Sequence, residues 1–162
     1  MILVSDASSL SSLALIDHLW LLESIYGTVI ISEVAASDLT TAKNARVQAV
    51  LASGWVHVQA PTELAIAEVM QPGKQLDWGD THAIALALQL KAEELLMNER
   101  RSRQVAQGLE LSVIGIFGVI ILAKKRGLIP SVRRLMDTLV EQAGFRISHR
   151  LYQKILRFAD EI

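Results

Sequence analysis

The sequence predicts an α/β protein, a three-layer α/β/α sandwich around a parallel sheet of about five strands, with helices closing its C-terminal end. Three observations carry this. Short aliphatic or β-branched runs alternate with helical stretches along the chain. No two of those runs lie close enough for a tight hairpin, so the strands are parallel and joined by crossovers. Apolar residues make up 51% of the 162 positions and aromatics only 5%, as suits a sheet buried on both faces beneath aliphatic helices. A homodimer contact would use the same apolar surplus equally well. The chain reads as a single domain over 1–162, with 128–162 a helical extension packed on it.

Taken in order, Ile2–Ser5 is a buried strand ended by Asp-Ala-Ser-Ser, a helix start. Apolar positions recur at helical spacing from Ser8 to about Tyr26, predicting one long helix that Gly27 ends. Thr28–Ile31 is the second strand; Glu33–Leu39 and Lys43–Ala52 are helices; Trp55–Val58 is the third strand. Pro61–Met70 is helical and Gln71-Pro72-Gly73 a turn. Asp77-Trp78-Gly79-Asp80 opens a helix through Leu90, followed by a fourth strand at Leu95–Met97 and a helix over Arg100–Gln107. Ser112–Ile114 is the fifth strand, and helices follow to Lys125, over Ser131–Ala143 and over Ser148–Asp160.

The bulk composition excludes several functions. A net charge of −1 gives no global basic field for nucleic acid, so any such binding must be local. There is no cysteine, which removes disulfides, thiolate nucleophiles and cysteine-held zinc. The apolar start reaches Asp6 too soon for a signal peptide, and the longest uncharged apolar stretch, Leu111–Ala123, is shorter than the ~18 residues a membrane span needs. The expectation is a soluble, cytoplasmic protein without membrane contact. The histidines (His18, His57, His82, His149) form no ligand pair, and neither a Gly-rich phosphate loop nor a nucleophile–base constellation is present. A phosphotransfer receiver is disfavoured, since adjacent acids after strand 1 and an acid after strand 3 are missing.

In a doubly wound sheet, ligands gather beyond the carboxyl ends of the strands, where strand order reverses. Asp6 follows strand 1, and Asn98-Glu99 follow strand 4. Asp80 lies in the first turn of the helix leading into strand 4, and Asp38 in the helix after strand 2. With strands 1 and 4 adjacent, all four acids face one cleft. Clustered carboxylates repel and are costly to desolvate, so such a cluster implies a divalent cation. Mg2+ or Mn2+ suits all-oxygen ligands and phosphodiester hydrolysis. Each acid alone also has a structural explanation: Asp6 as an N-cap, Asp77 and Asp80 as a capping pair, Glu99 as a first-turn acid, Asp38 as a solvated helix-end residue. Glu33 and Asp38 are about 140° apart around a helix, so only one of them faces the cleft.

Four segments together resemble the PIN-domain superfamily, and within it a bacterial and archaeal branch of predicted nucleic-acid-binding proteins. They are VSDASSL, VIISEVAASDL, LDWGDTHAIALAL and the stretch from LLMNERRSRQVAQGLELSVIGIF to GLIP, with the tail GFRISHRLYQKIL in keeping. The resemblance runs over nearly the whole chain. It places the acids at Asp6, Asp38, Asp80 and Glu99, with Glu33 as the fallback in the second motif, a hydroxyl at Ser8 and a basic contact at Arg103. Ser8, Asn98 and Arg103 are the candidate substrate contacts. Membership implies a PIN-like fold and Mg2+- or Mn2+-dependent ribonuclease activity on single-stranded RNA, with Asp6, Asp38, Asp80 and Glu99 as catalytic and metal residues. It further implies frequent homodimers and, in many relatives, a toxin held by a small antitoxin protein.

This chain departs from the branch's pattern. Asp38 and Asp80 stand where Glu is common, Asn98-Glu99 where two Asp are usual, and Ile116 where a Thr is usual. The rival reading is therefore a PIN-like module whose catalysis has lapsed and which binds RNA or protein. Arg100, Arg101 and Arg103 stand beside Glu99, where they would meet phosphate or simply solvent. Lys124, Lys125 and Arg126 sit at a helix C-terminus, which favours cations without any partner. Trp20, Trp55 and Trp78 are not arranged like a base-stacking platform; Trp78, beside Asp80, is placed to touch a base, but core or interface packing is the favoured expectation for it.

Overall fold

In the computed structural model, which describes residues 1–71 and 75–162, a parallel five-stranded sheet runs in the order β3-β2-β1-β4-β5. The strands are β1 (Ile2–Ser5), β2 (Thr28–Ile31), β3 (Val56–Val58), β4 (Glu94–Leu96) and β5 (Val113–Ile114). The expected turn at Gln71-Pro72-Gly73 lies, from Pro72 on, outside the described residues. The chain builds outward from β1 through β2 to β3, then returns to the other side of β1 for β4 and β5. Val4 is in register with both Ile30 and Leu95, so β1 is central and the order reverses between β1 and β4. This is the α/β/α architecture that the alternation of elements predicts.

Alternation along β1 divides the core. Leu3 joins a cluster with α1 (Ala7–Leu15), α2 (Trp20–Tyr26), α3 (Glu33–Thr41) and the C-terminal helices α8 (Ile116–Lys125), α9 (Val132–Ala143) and α10 (His149–Phe158). Val4 joins the opposite cluster with α5 (Glu63–Val69), α6 (Trp78–Leu90) and α7 (Arg100–Gly108). Ala83, Ala85 and Ala87 of α6 are fully buried, since that helix packs against both the sheet and α5. Among the described residues, no helix is long and apolar enough to cross a membrane.

Two elements differ from expectation. The helix expected from Ser8 to Tyr26 is two helices, α1 and α2, broken where Asp17 takes a left-handed φ of 59°. Aspartate tolerates that region better than most residues, and the His18 N–H returns to the Leu13 carbonyl at 2.9 Å to close α1. The apolar period runs across the break because both helices bury into one cluster, through Leu10 and Leu13, then Leu21, Leu22 and Ile25. Helical spacing registers burial, not the continuity of an axis. The helix expected over Lys43–Ala52 shortens to α4 (Ala45–Gln48) and a 3-10 turn over Ala49–Ala52, with Asn44 capping the start.

Candidate functional site

The strand ends at the order reversal deliver the first acid. Asp6 leaves β1 as the N-cap of α1, and its Oδ1 accepts the Ser9 N–H at 2.9 Å. Its own N–H continues the ladder to the Leu96 carbonyl at 3.0 Å, and its Oδ2 accepts the Asn98 N–H at 2.9 Å. The carboxylate is thus locked between the ends of β1 and β4, with the residue only 4% exposed. Burial pushes its pKa above the ordinary aspartate value, against the hydrogen bonds from Ser9 and Asn98 that favour its charged form.

The second wall comes from the start of α6. Asp77 is its N-cap, accepting the Asp80 N–H at 2.7 Å. Asp80, one turn in, accepts a hydrogen bond from the buried Ser102 hydroxyl of α7, which ties the two helix starts together. Burial, chiefly, and then the neighbouring charges of Asp77, Asp6 and Glu99 raise the Asp80 pKa to about 6, opposed by Ser102. Glu99 stands at the N-cap of α7, but its side chain makes no capping bond and stays exposed. Oxygens of Asp77, Asp80 and Glu99 lie within 4.8 Å of one another.

These groups border a cleft of about 510 Å³. Of the residues singled out from sequence, Asp6, Asp38, Asp80, Glu99, Ser8 and Asn98 all line it. Asp38 enters from α3, its Oδ2 lying 3.9 Å from the position a Cβ on Gly79 would take. Glu33 is exposed and is not among the described residues that line the cleft. Arg103 is not among them either: its Nη1 lies 3.1 Å from where a Gly115 Cβ would stand, so the guanidinium fills the space that glycine leaves at the start of α8. Arg100 and Arg101 are exposed on α7. Ile116 is 2% exposed and packs in the core, so the loss of the usual Thr hydroxyl noted from sequence falls in the core cluster and not on the cleft wall.

Two participants escaped the sequence reading, and a third was given a different favoured role. Asp77 was legible only as a cap; it is one, and its remaining lone pairs also face the cluster. Ser102 carried no signal, being one serine within a basic helix. Trp78, for which core or interface packing was favoured over contact with a base, is 54% exposed and lines the cleft. It starts α6 beyond the strand ends, where neither core cluster reaches it.

Five carboxylates and no lysine, arginine or histidine line the cleft among the described residues. Such a concentration of like charge is held at a cost that a cation would remove. The donors on offer are carboxylate oxygens, which fit a hard divalent ion such as Mg2+ or Mn2+ and argue against zinc. A family model described as PIN domain matches residues 2–161. No curated protein matches the chain.

Proposed function

We propose, since this chain belongs to the PIN-domain family, that its acidic cleft is the centre of a divalent-metal-dependent endoribonuclease acting on single-stranded RNA. The observation that carries this is the convergence of Asp77, Asp80 and Glu99 within 4.8 Å, at the strand ends where an α/β sheet places its ligands. A divalent cation held there would neutralise phosphate charge and lower the pKa of a bound water. Asp77, Asp80 and Glu99 would hold it. Asp6 adds negative potential from below while joining β1 to the Asn98 backbone, and Asp38 faces the cluster from α3. Ser8 and Asn98, both exposed on the cleft wall, present hydrogen-bonding groups to a substrate phosphate or ribose. The reaction is hydrolysis of a phosphodiester, leaving 3′-hydroxyl and 5′-phosphate ends.

The same reading extends to a cytoplasmic toxin that works as a homodimer and is held inactive by a small antitoxin; family membership alone supports that extension. A second reading, a lapsed module that binds RNA or protein, is favoured by Asn98, whose uncharged side chain stands where the family pattern carries an acid. Labelled single-stranded RNA incubated with Mn2+, Mg2+ or chelator separates the two. Cleavage that needs metal and disappears in Asp80→Asn and in Asp6→Asn supports the nuclease. Intact RNA with the wild-type protein and either metal, across several sequences, leaves the binding module.

A further inference from the structure

We propose that Trp78 is a stacking platform for one unpaired nucleobase at the mouth of the cleft, which makes the preferred ligand a single-stranded nucleic acid; this rests on the reading of the cleft as a phosphodiester site. Trp78 is the only aromatic side chain among the described residues that line the cleft; the others are carboxylates, the Asn98 amide, the Ser8 hydroxyl and small aliphatic groups including Val34. Carboxylates offer nothing to the π-face of a base, so recognition of a base here falls to the indole and to contacts with the exocyclic groups.

The ring is held in place without being covered. The His82 ring meets it edge-on, with centroids 4.3 Å apart and an angle of 64° between the planes. His82 Nδ1 also donates to the Trp78 carbonyl at 2.9 Å, so the imidazole is fixed to the same turn of α6 that it supports. His82 is itself buried, and 54% of Trp78 remains exposed. An indole with restricted rotamers and a free face gains more from stacking than a mobile one, because less conformational entropy is lost on binding.

The walls restrict what can reach it. Next to Trp78, Gly79 brings the α6 backbone up to α3: a Cβ there would stand 3.8 Å from Val34 Cγ1 and 3.9 Å from Asp38 Oδ2. The cleft volume of about 510 Å³ is that of a small-molecule pocket. It has room for an unstacked nucleotide, and a base within a duplex would have to be flipped out to lie on the indole. With Trp78 between Asp77 and Asp80 at the start of α6, a phosphate held through a cation at the carboxylates would have its neighbouring base within reach of the indole.

The test measures binding and cleavage separately. Binding is read by fluorescence anisotropy with a labelled single-stranded 12-nucleotide RNA and with an abasic ribose-phosphate 12-mer of the same charge. Both are titrated in Ca2+, which takes similar oxygen ligands, and a gel afterwards confirms that the oligomers are intact. Stacking one base predicts a wild-type preference for the RNA over the abasic oligomer of between about fivefold and 150-fold. That preference should vanish in Trp78→Leu and survive within about threefold in Trp78→Phe, which keeps an aromatic face. A preference unchanged in Trp78→Leu, or absent in the wild type, overturns the proposal. Cleavage in Mn2+ is scored on its own. Metal-dependent cleavage with no role for Trp78 in binding sinks only the platform, whereas Trp78-dependent binding without cleavage sinks only the nuclease.

Discussion

The Asp6 carboxylate at the end of β1 accepts the backbone N–H of Asn98 beyond the end of β4 at 2.9 Å, across 92 positions of sequence. Its other oxygen takes the Ser9 N–H, so one buried side chain caps α1 and fastens the two central strands where the cleft opens. Asp6 thereby has a structural role, which experiment can separate from the chemical role proposed for it.

Asp6→Ala removes both acceptors and strands two backbone donors, so it should destabilise the metal-free protein by about 3 kcal/mol. Asp6→Asn retains one acceptor and should cost about half as much. Urea denaturation in chelator measures both; a loss below ~0.5 kcal/mol for the alanine variant would show that these hydrogen bonds contribute little.

Asp80 accepts a side-chain hydroxyl and, among the described residues, no backbone N–H, so burial of its charge should decide the outcome there. Its folded pKa of about 6 lies above the ordinary value of 3.8, so the folded state binds its proton more tightly than the unfolded state does. Stability contributed by the protonated group is therefore full below about pH 4 and is lost as pH rises to about 6. Asp80→Asn should then stabilise the metal-free protein at pH 7.5 by about 1 kcal/mol, allowing for the solvent that reaches this half-buried group. The gain should disappear near pH 4. Thermal melts of both proteins across that range, in chelator, check the sign.

Ligation by Asp77 can be told from capping. Asn caps a helix about as well as Asp, so Asp77→Asn should leave the melting temperature in chelator nearly unchanged. It should nevertheless weaken Mn2+ binding by about tenfold or more. Asp38→Asn, outside the close trio, should weaken it less. Calorimetric titration with Mn2+ ranks the variants, and equal affinities for wild type and Asp77→Asn would remove Asp77 from the metal set.

A bound cation should also stabilise the fold. At a free Mn2+ concentration 100 times its Kd, mass action adds about 2.7 kcal/mol, or about 5–10 °C in Tm for a chain of this size. Chelator should reverse the shift, and Asp80→Asn should abolish it. A wild-type melting curve indifferent to Mn2+ would favour the lapsed module.

Far from the cleft, Glu161 closes the C-terminal end. It accepts from Lys124 at 2.9 Å, the Ser131 hydroxyl at 3.0 Å, and the Val132 and Arg133 N–H groups at 2.6 and 3.1 Å. Partial burial pushes its pKa up, but these donors outweigh that and hold it at about 2 against an ordinary 4.5. Its contribution is present above about pH 4.5 and is lost as pH falls through about 2. Glu161→Gln should cost about 1–2 kcal/mol at pH 7, and the difference from wild type should shrink on acidification below 4.5. Paired denaturation curves from pH 7 to pH 2.5 test this.

Much of the protein is legible in its sequence. The alternation of strand and helix periods, without hairpin spacing, determined a parallel sheet with helices on both faces, because side-chain period and connection length are local properties. Strand ends are local too, and they located Asp6 and Asn98-Glu99 at the mouth of the sheet. The angle between residues five apart on a helix let only one of Glu33 and Asp38 face the cleft, and the family resemblance favoured Asp38. What only the tertiary structure decided are distances between elements and the directions of single side chains. The close trio includes Asp77 because Ser102 joins the starts of α6 and α7 through Asp80. Arg103 turns to Gly115, Ile116 turns into the core, and Trp78 stays in solvent beside His82. The break at Asp17 was hidden because α1 and α2 bury into one cluster and keep one apolar rhythm. Periodicity records whether a position is buried, whereas the assembly of a site depends on the packing of helices far apart in sequence, which no local pattern encodes.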